Sequence, residues 1–298
     1  MGVYLDYSQE ELDRQYEHRF FIDDVDSHVE YAKTQSRRVR AAADGKFDVP
    51  YGAGPDELLD IYLTGAQSPA PVVVFFHGGR WSRGSKASTC DPAEVFNAAG
   101  AIFISVNFTL LPNVTMDELL AQCRTAIVWI WKNCANFGGD RDRLYVFGKS
   151  SGAHIGGVMA VTDWTAHGLP RDVLKGAFLV SGMYDLEPVR LTFRNKITRL
   201  DRDSAYKNSP IHHIPADGCP LVVGCGALET PEFRRHSREF AAAWSARGLP
   251  CDYMEVPDKH HYSVSADMQD SPLMALMLKR MGLAIPVMAR VEAPSKST

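Results

Sequence analysis

Ser150 stands at the centre of Gly148-Lys149-Ser150-Ser151-Gly152, a G-x-S-x-G pentapeptide. A serine hydroxyl is a weak nucleophile unless a base takes its proton and fixed donors hold the oxyanion that its attack creates. The pentapeptide follows the apolar run Leu144-Tyr-Val-Phe147 and precedes a small-residue segment that begins at Ala153. A sharp strand-to-helix turn at that place lifts the Ser150 Oγ above a sheet edge, beside the positive end of a helix. The competing reading is a Gly/Ser-rich turn without chemistry, and Ser151 is the competing serine, off the central position of the motif.

His77-Gly78-Gly79 follows a second apolar run, Val72 to Phe76. Glycines there let the backbone approach a substrate carbonyl. The candidate oxyanion donors are the N–H groups of Gly78 or Gly79 together with that of Ser151; loss of one such donor typically costs about 3 kcal/mol of transition-state stabilisation. His77 itself reads as a residue that organises the loop, and Trp81 as one that lines a pocket or packs beneath that loop. The acid and then the histidine follow such a nucleophile in chain order. Of the ten histidines only His260 and His261 come after the last predicted strand. His261, followed by the aromatic Tyr262, is the favoured base and His260 the alternative. His154, His212 and His213 read as packing, surface or pocket residues. Glu229, in the loop after Leu221 to Gly224, is the favoured acid. Glu232 lies in the first turn of a helix, where the dipole explains it, and Asp258 is too close to His261 in sequence.

Elements must hold these residues in place. Pro71 to Phe76, Ala101 to Val106, Leu144 to Phe147, Gly176 to Val180, Leu221 to Gly224 and Asp252 to Val256 read as strands. The continuous apolar runs Pro71 to Phe76 and Ala101 to Val106 mark strands buried on both faces. Between them, 116–133 carries apolar residues at helical spacing, and 231–246 opens with Pro231 in its first turn; 272–281 reads as a last helix. Strands alternating with helices imply an α/β fold, a mostly parallel sheet flanked by helices. The segment 56–62 reads as an antiparallel edge strand. The stretch 185–215, long and weakly periodic, reads as a small cap or lid. Residues 1–285 form one domain in this reading, and the polar tail 286–298 reads as disordered.

The 298 residues are 45% hydrophobic and 23% charged, with a net charge of −4. That balance leaves no electrostatic footprint for nucleic acid or an anionic membrane. The acidic start, Met1 to Arg14, lacks the basic and apolar regions of a secretory signal, and no apolar stretch approaches 18 residues. The expectation is therefore a cytoplasmic chain that neither spans nor binds a membrane. Six cysteines occur without a C-x-x-C pair or a neighbouring histidine at ligand spacing, so they read as small buried apolar residues rather than a zinc site or a disulfide framework.

Taken together these blocks resemble kynurenine formamidase (arylformamidase), in the hormone-sensitive-lipase-like branch of the α/β hydrolases. The resemblance runs from Tyr7-Ser-Gln-Glu-Glu-Leu12 and Tyr16 through Leu59-Asp-Ile-Tyr62, His77-Gly-Gly-Arg-Trp81, Ser151-Gly-Ala-His154 and Ser181 to Pro188, and on to Thr230-Pro-Glu-Phe233 and the last helix. The family's acid, usually Asp, directly precedes a small hydroxyl residue and Pro-Glu-Phe, which is the place of Glu229. Its base usually precedes an aromatic, as His261 does. Two positions depart: Arg80 stands where Tyr is frequent, and Lys149 where His is usual. The resemblance implies an α/β-hydrolase fold and a serine hydrolase that needs no cofactor or metal. Its substrate would be a small aryl formamide or amide, such as N-formylkynurenine. The substrate ring would rest among Trp81, Tyr184 and Phe193; Arg190, Arg194 and Lys196 could meet a carboxylate or form a solvated face. A broad carboxylesterase for short acyl or aryl esters would use the same residues. A non-catalytic ligand-binding relative would be expected to lack one of them. A homodimer is compatible with this branch.

Overall fold

A computed structural model describes residues 2–66, 69–266 and 270–287. Eight strands form one sheet: β1 (Gly45–Pro50), β2 (Leu58–Tyr62), β3 (Ala70–Phe76), β4 (Ile102–Val106), β5 (Gly139–Lys149), β6 (Leu174–Val180), β7 (Leu221–Gly226) and β8 (Cys251–Val256). Their order is β1-β2-β4-β3-β5-β6-β7-β8. β1 and β2 run antiparallel to their neighbours, and all other pairs are parallel. This is the α/β-hydrolase fold that the sequence implied.

The strands read as buried on both faces are so because helices cover both. Val72, Val74 and Phe76 of β3 belong to a core on one face, with residues of α4 (Met116–Asn133), α5 (Ser151–Val161) and α9 (Pro231–Ala246). Val73 and Phe75 belong to the core on the other, with Val39 of α2 (Val25–Ala42), Phe96 of α3 (Ala93–Ala98) and Leu273 of α10 (Pro272–Arg280). Successive strand residues point to opposite faces, so one apolar run serves both cores. α4 starts where the sequence placed it. Thr115 Oγ1 accepts from the Glu118 N–H at 3.3 Å, and the Glu118 carboxylate accepts from the Thr115 N–H at 2.7 Å, a reciprocal cap of two free donors. Leu119, Leu120, Cys123, Ile127 and Ile130 form its buried stripe.

One reading needs correction. The strand at 58–62 is antiparallel but not an edge: β1 pairs with it through 45–50 and is the outer strand. β1 alternates half-buried Phe47 and Val49 with exposed Lys46 and Asp48, a short pattern without the continuous apolar run of the central strands. The stretch 185–215, expected as a small cap or lid, holds three short α-helices, α6 (Glu187–Arg190), α7 (Asn195–Thr198) and α8 (Arg202–Lys207), and a 3-10 turn at Pro210–His212, inserted between β6 and β7. The tail expected to be disordered lies, from residue 288 onward, outside the described residues.

An N-terminal segment packs against this insertion. α1 (Gln9–Gln15) is followed by a 3-10 turn at His18–Phe20. Asp13 accepts the Phe193 N–H at 2.8 Å, and the Gln9 amide donates to the Leu191 carbonyl at 2.8 Å. Thr230 Oγ1 donates to the Gln15 carbonyl at 2.9 Å. The segment therefore bridges the helical insertion and the start of α9. No helix among the described residues is long and apolar enough to cross a membrane.

Candidate active site

β5 ends at Lys149, α5 begins at Ser151, and Ser150 between them has φ 55° and ψ −124°. A non-glycine residue at such a φ is strained by roughly 1–3 kcal/mol and persists only where its surroundings impose it. Here the imposition is backbone crowding. A Cβ on Gly148 would lie 2.1 Å from the Gly152 carbonyl oxygen, and one on Gly152 would lie 1.9 Å from that of Phe76. Both flanking glycines of the motif are thus required by close approach, and the turn they permit is anchored by Ser150 N–H donating to the Val180 carbonyl at 2.8 Å.

Three side chains from three strand ends meet at this turn. His261 Nε2 lies 3.0 Å from Ser150 Oγ, and His261 Nδ1 lies 2.7 Å from Glu229 Oε2. Glu229 Oε1 accepts from Ser181 Oγ at 2.5 Å and from the Gly226 N–H at 2.7 Å. An ionised carboxylate can only accept, so Nδ1 carries the imidazole proton and Nε2 is left free to accept from Ser150. Burial pushes the Glu229 carboxyl up, against the pull of Ser181, Gly226 and Lys149. Burial likewise pushes His261 well below its ordinary value, and Lys149, Arg194, Arg80 and His260 add to that. All three side chains are nearly closed off, Ser150 least so at 8% exposure.

Of the two adjacent histidines, His260 faces elsewhere. Its Nδ1 accepts from the Tyr262 and Ser263 N–H groups, and its ring meets His28 edge-on. Glu232 is buried and paired with Arg235 at 2.8 Å, and Asp258 is exposed. Neither acid approaches His261 as Glu229 does.

Gly78 lies directly against the nucleophile: a Cβ there would be 3.2 Å from the Ser150 Cβ and 2.9 Å from the Lys149 carbonyl oxygen. Gly79 has φ 116°, a conformation open to glycine. The next two residues, Arg80 and Trp81, also have positive φ, 59° and 57°. The loop is tied down by side chains. Trp81 N–H donates to Ser151 Oγ at 3.2 Å, and Trp81 Nε1–H donates to His154 Nδ1 at 3.1 Å. His154 then donates from Nε2 to the Asn208 carbonyl at 2.7 Å. His77 is buried, stacks on Phe108 and bonds through Nδ1 to the Gly78 carbonyl, which is the loop-organising place expected of it.

His154 in this clamp must stay neutral, because Nδ1 accepts from Trp81. Burial holds its pKa down at about 4, partly opposed by the Asn208 carbonyl. An unfolded histidine titrates near 6.5, so the unfolded chain takes up a proton that the folded chain refuses. This contribution is fully present above about pH 6.5 and is lost as pH falls toward 4, by up to about 3 kcal/mol. The urea midpoint of the parent should therefore drop more between pH 6.5 and 4.5 than that of His154→Gln; parallel decline of the two would contradict this assignment.

Of the aromatic residues expected to line a pocket, Tyr184 and Trp81 are buried in packing, which for Trp81 is the alternative already open. Tyr184 is completely buried and stacks on Phe240 at 4.3 Å in the core between α9 and the insertion. Trp81 is 1% exposed and packs beneath the glycine loop. Phe193 is half-buried beside α1. Of the candidate cations, Arg190 is paired with Glu187 and Lys196 is exposed. Arg194 is buried: it donates to the Tyr16 carbonyl, lies 5.3 Å from the Tyr16 ring centroid, and leaves its Nε without a partner. Burial lowers it to about 9.

One contributor carried no sequence signal. His18, from the N-terminal turn, lies flat on His261 with ring centroids 3.8 Å apart. Beside it Glu17 forms a two-pronged pair with Arg80, at 2.9 and 3.1 Å.

The BD-FAE family model matches residues 59–178. A kynurenine formamidase of Danio rerio is 32% identical over 95% of this chain and 99% of its own length, and one of Salmo salar is 33% identical over 95% and 99%. Esterase LipQ of Mycobacterium tuberculosis is 28% identical over 72% of this chain and 56% of its own. Among solved structures, the hyperthermophilic esterase from Pyrobaculum calidifontis superposes with a TM-score of 0.71 at 17% identity, covering 86% of this chain and 92% of that one. The carboxylesterase EstE1, cloned from a metagenomic library, gives 0.69 at 16% identity, covering 86% and 96%. The two structures agree in fold, and the full-length relatives go further: with the strained serine, the glycine loop and the sheet order all in place, this chain is a hydrolase that belongs to the kynurenine formamidase family of the α/β hydrolases.

Proposed function

We propose that the chain hydrolyses a small aryl formamide or amide, N-formylkynurenine among them, through an acyl-enzyme on Ser150. In this reading His261 takes the Ser150 proton, Glu229 holds the imidazole and its developing charge, and the N–H groups of Gly78 or Gly79 and of Ser151 hold the oxyanion. His261 then returns its proton to the leaving amine, and water, activated by the same base, releases the acyl group as a free acid. The observation that carries this is the continuous chain Ser150–His261–Glu229 at 3.0 and 2.7 Å on a strained turn. Full-length identity of 32–33% to two kynurenine formamidases supports the formamide. We place the activity in the cytoplasm, on a small-molecule substrate, without cofactor or metal.

A second reading, a carboxylesterase for short acyl or aryl esters, uses the same atoms and is favoured by the likeness to esterase LipQ. The two separate on one comparison: kcat/KM for N-formylkynurenine against that for p-nitrophenyl acetate, with the phosphonate-labelled residue identified by mass spectrometry. Formamide turnover that exceeds the ester's and is blocked by a label on Ser150 is expected. Ester turnover alone would move the substrate to the second reading, and a label on another residue would remove Ser150 from its role.

A further inference from the structure

His18 stands outside the hydrogen-bonded chain, yet it covers the residue on which that chain turns. Its ring is 17° from parallel to that of His261, with centroids 3.8 Å apart. Phe233 meets both rings, at 4.8 Å from each, and Tyr262 meets both edge-on, at 5.9 Å from His18 and 5.6 Å from His261. His18 is only 4% exposed. The chain entering the turn that carries it is held at two successive residues: Arg194 donates to the Tyr16 carbonyl, and Arg80 grips the Glu17 carboxylate.

The charges around the stack are unbalanced. Lys149 at the end of β5 lies 5.8 Å from the Tyr262 ring, and Arg194 at the start of α7 lies 5.9 Å from the Phe233 ring. Arg80 is matched by Glu17, His260 adjoins His261, and Glu229 is the carboxylate hydrogen-bonded to the base. A positive charge that forms on His261 therefore meets Lys149, on which Asp91 and Glu229 also act, and Arg194, on which Glu17 acts. It also meets the face of a neutral ring, which attracts a cation through its negative π surface. Burial, His261 itself, Arg194, Arg80 and Lys149 all keep His18 uncharged, well below its ordinary titration range. An attraction felt only when His261 is charged acts on the transition state and not on the resting enzyme.

We propose that His18 is a positioning residue for His261: its neutral ring, stacked on the base, holds that imidazole on the line between Ser150 and Glu229 and supports the positive charge it acquires in both acylation and deacylation. This rests on the reading of His261 as the base. The proton in question leaves Ser150 Oγ for His261 Nε2 and passes from there to the leaving group.

His18→Leu and His18→Phe separate ring face from bulk. In the Leu chain kcat should fall about 30-fold, with KM changed less than threefold and the acid limb of the kcat profile moved to lower pH. His18→Phe keeps a π face and should hold kcat within threefold and the acid limb in place. A Leu chain that melts like the parent and keeps its kcat would overturn the proposal. So would a Phe chain as slow as the Leu chain, since a ring nitrogen rather than the ring face would then be at work. Where the Leu chain fails to fold, the Phe chain decides alone on the same two readouts. Ser150→Ala is run beside them: activity surviving in that chain would sink the underlying reading, whatever the His18 variants do.

Discussion

Ser150→Ala should lower kcat for ester and formamide alike by about a millionfold, to the residual 10³–10⁴-fold over water that oxyanion donors and binding alone provide. The effect should be one of chemistry rather than folding. Alanine retains the Cβ that Gly78 packs against, and the Ser150 N–H bond to the Val180 carbonyl is a backbone bond. The strain at φ 55° is unchanged, because alanine tolerates that conformation no better than serine. A progress curve for p-nitrophenyl acetate with a thermal melt on the same sample checks both halves. Loss of activity together with a collapsed melt would point to damage at the turn, and retained activity would remove Ser150 from the mechanism.

Glu229→Gln should cost about 10⁴-fold in kcat, although it preserves shape and every packing contact. The reason lies in the two donors already aimed at Oε1. Ser181 Oγ–H and the Gly226 N–H demand an acceptor there, so the glutamine must place its carbonyl oxygen at that position. Its amide group then faces His261 Nδ1 and donates to it. The imidazole proton is driven to Nε2, where it donates toward Ser150 instead of accepting. The enzyme keeps its architecture and holds the wrong tautomer. Glu229→Asp restores the charge on a shorter arm and should recover part of the loss. Equal activity in the Gln chain and the parent would show that Glu229 does not govern His261.

The elements that bear the site were largely legible, because the physics that forms them leaves a pattern in composition. A strand covered on both faces must be apolar throughout, so β3 and β4 stand out as uninterrupted runs. Chain order, once β7 and β8 were recognised, narrowed the base to His260 or His261 and favoured Glu229 as the acid, and the glycines around Ser150 followed from the crowding of a sharp turn. The outer layers were not legible. α2 buries only Val25, Ser36 and Val39 of its 18 residues, and β1 offers only Phe47 and Val49, each half-buried, among its six. Trp81 and Tyr184 show a different limit: a large aromatic near a site in sequence can equally well be the core beneath it, and both are. His18 lies 243 positions before His261, in no motif, and only the docking of α1 on the insertion and α9 brings the two rings together.

The site has two owners. Ser150, Glu229 and His261 sit at or just beyond the ends of β5, β7 and β8, on the most deeply fixed part of the chain. The wall above them, His18 with Glu17 and Arg194, comes from a short N-terminal turn and a helical insertion tied to each other by a few contacts such as Asp13 with Phe193 and Gln9 with Leu191. The side chains of the hydrogen-bonded chain and the ring that covers it thus come from separate stretches of sequence under different constraints. A change in the N-terminal turn can therefore reach the base without touching the sheet that carries it.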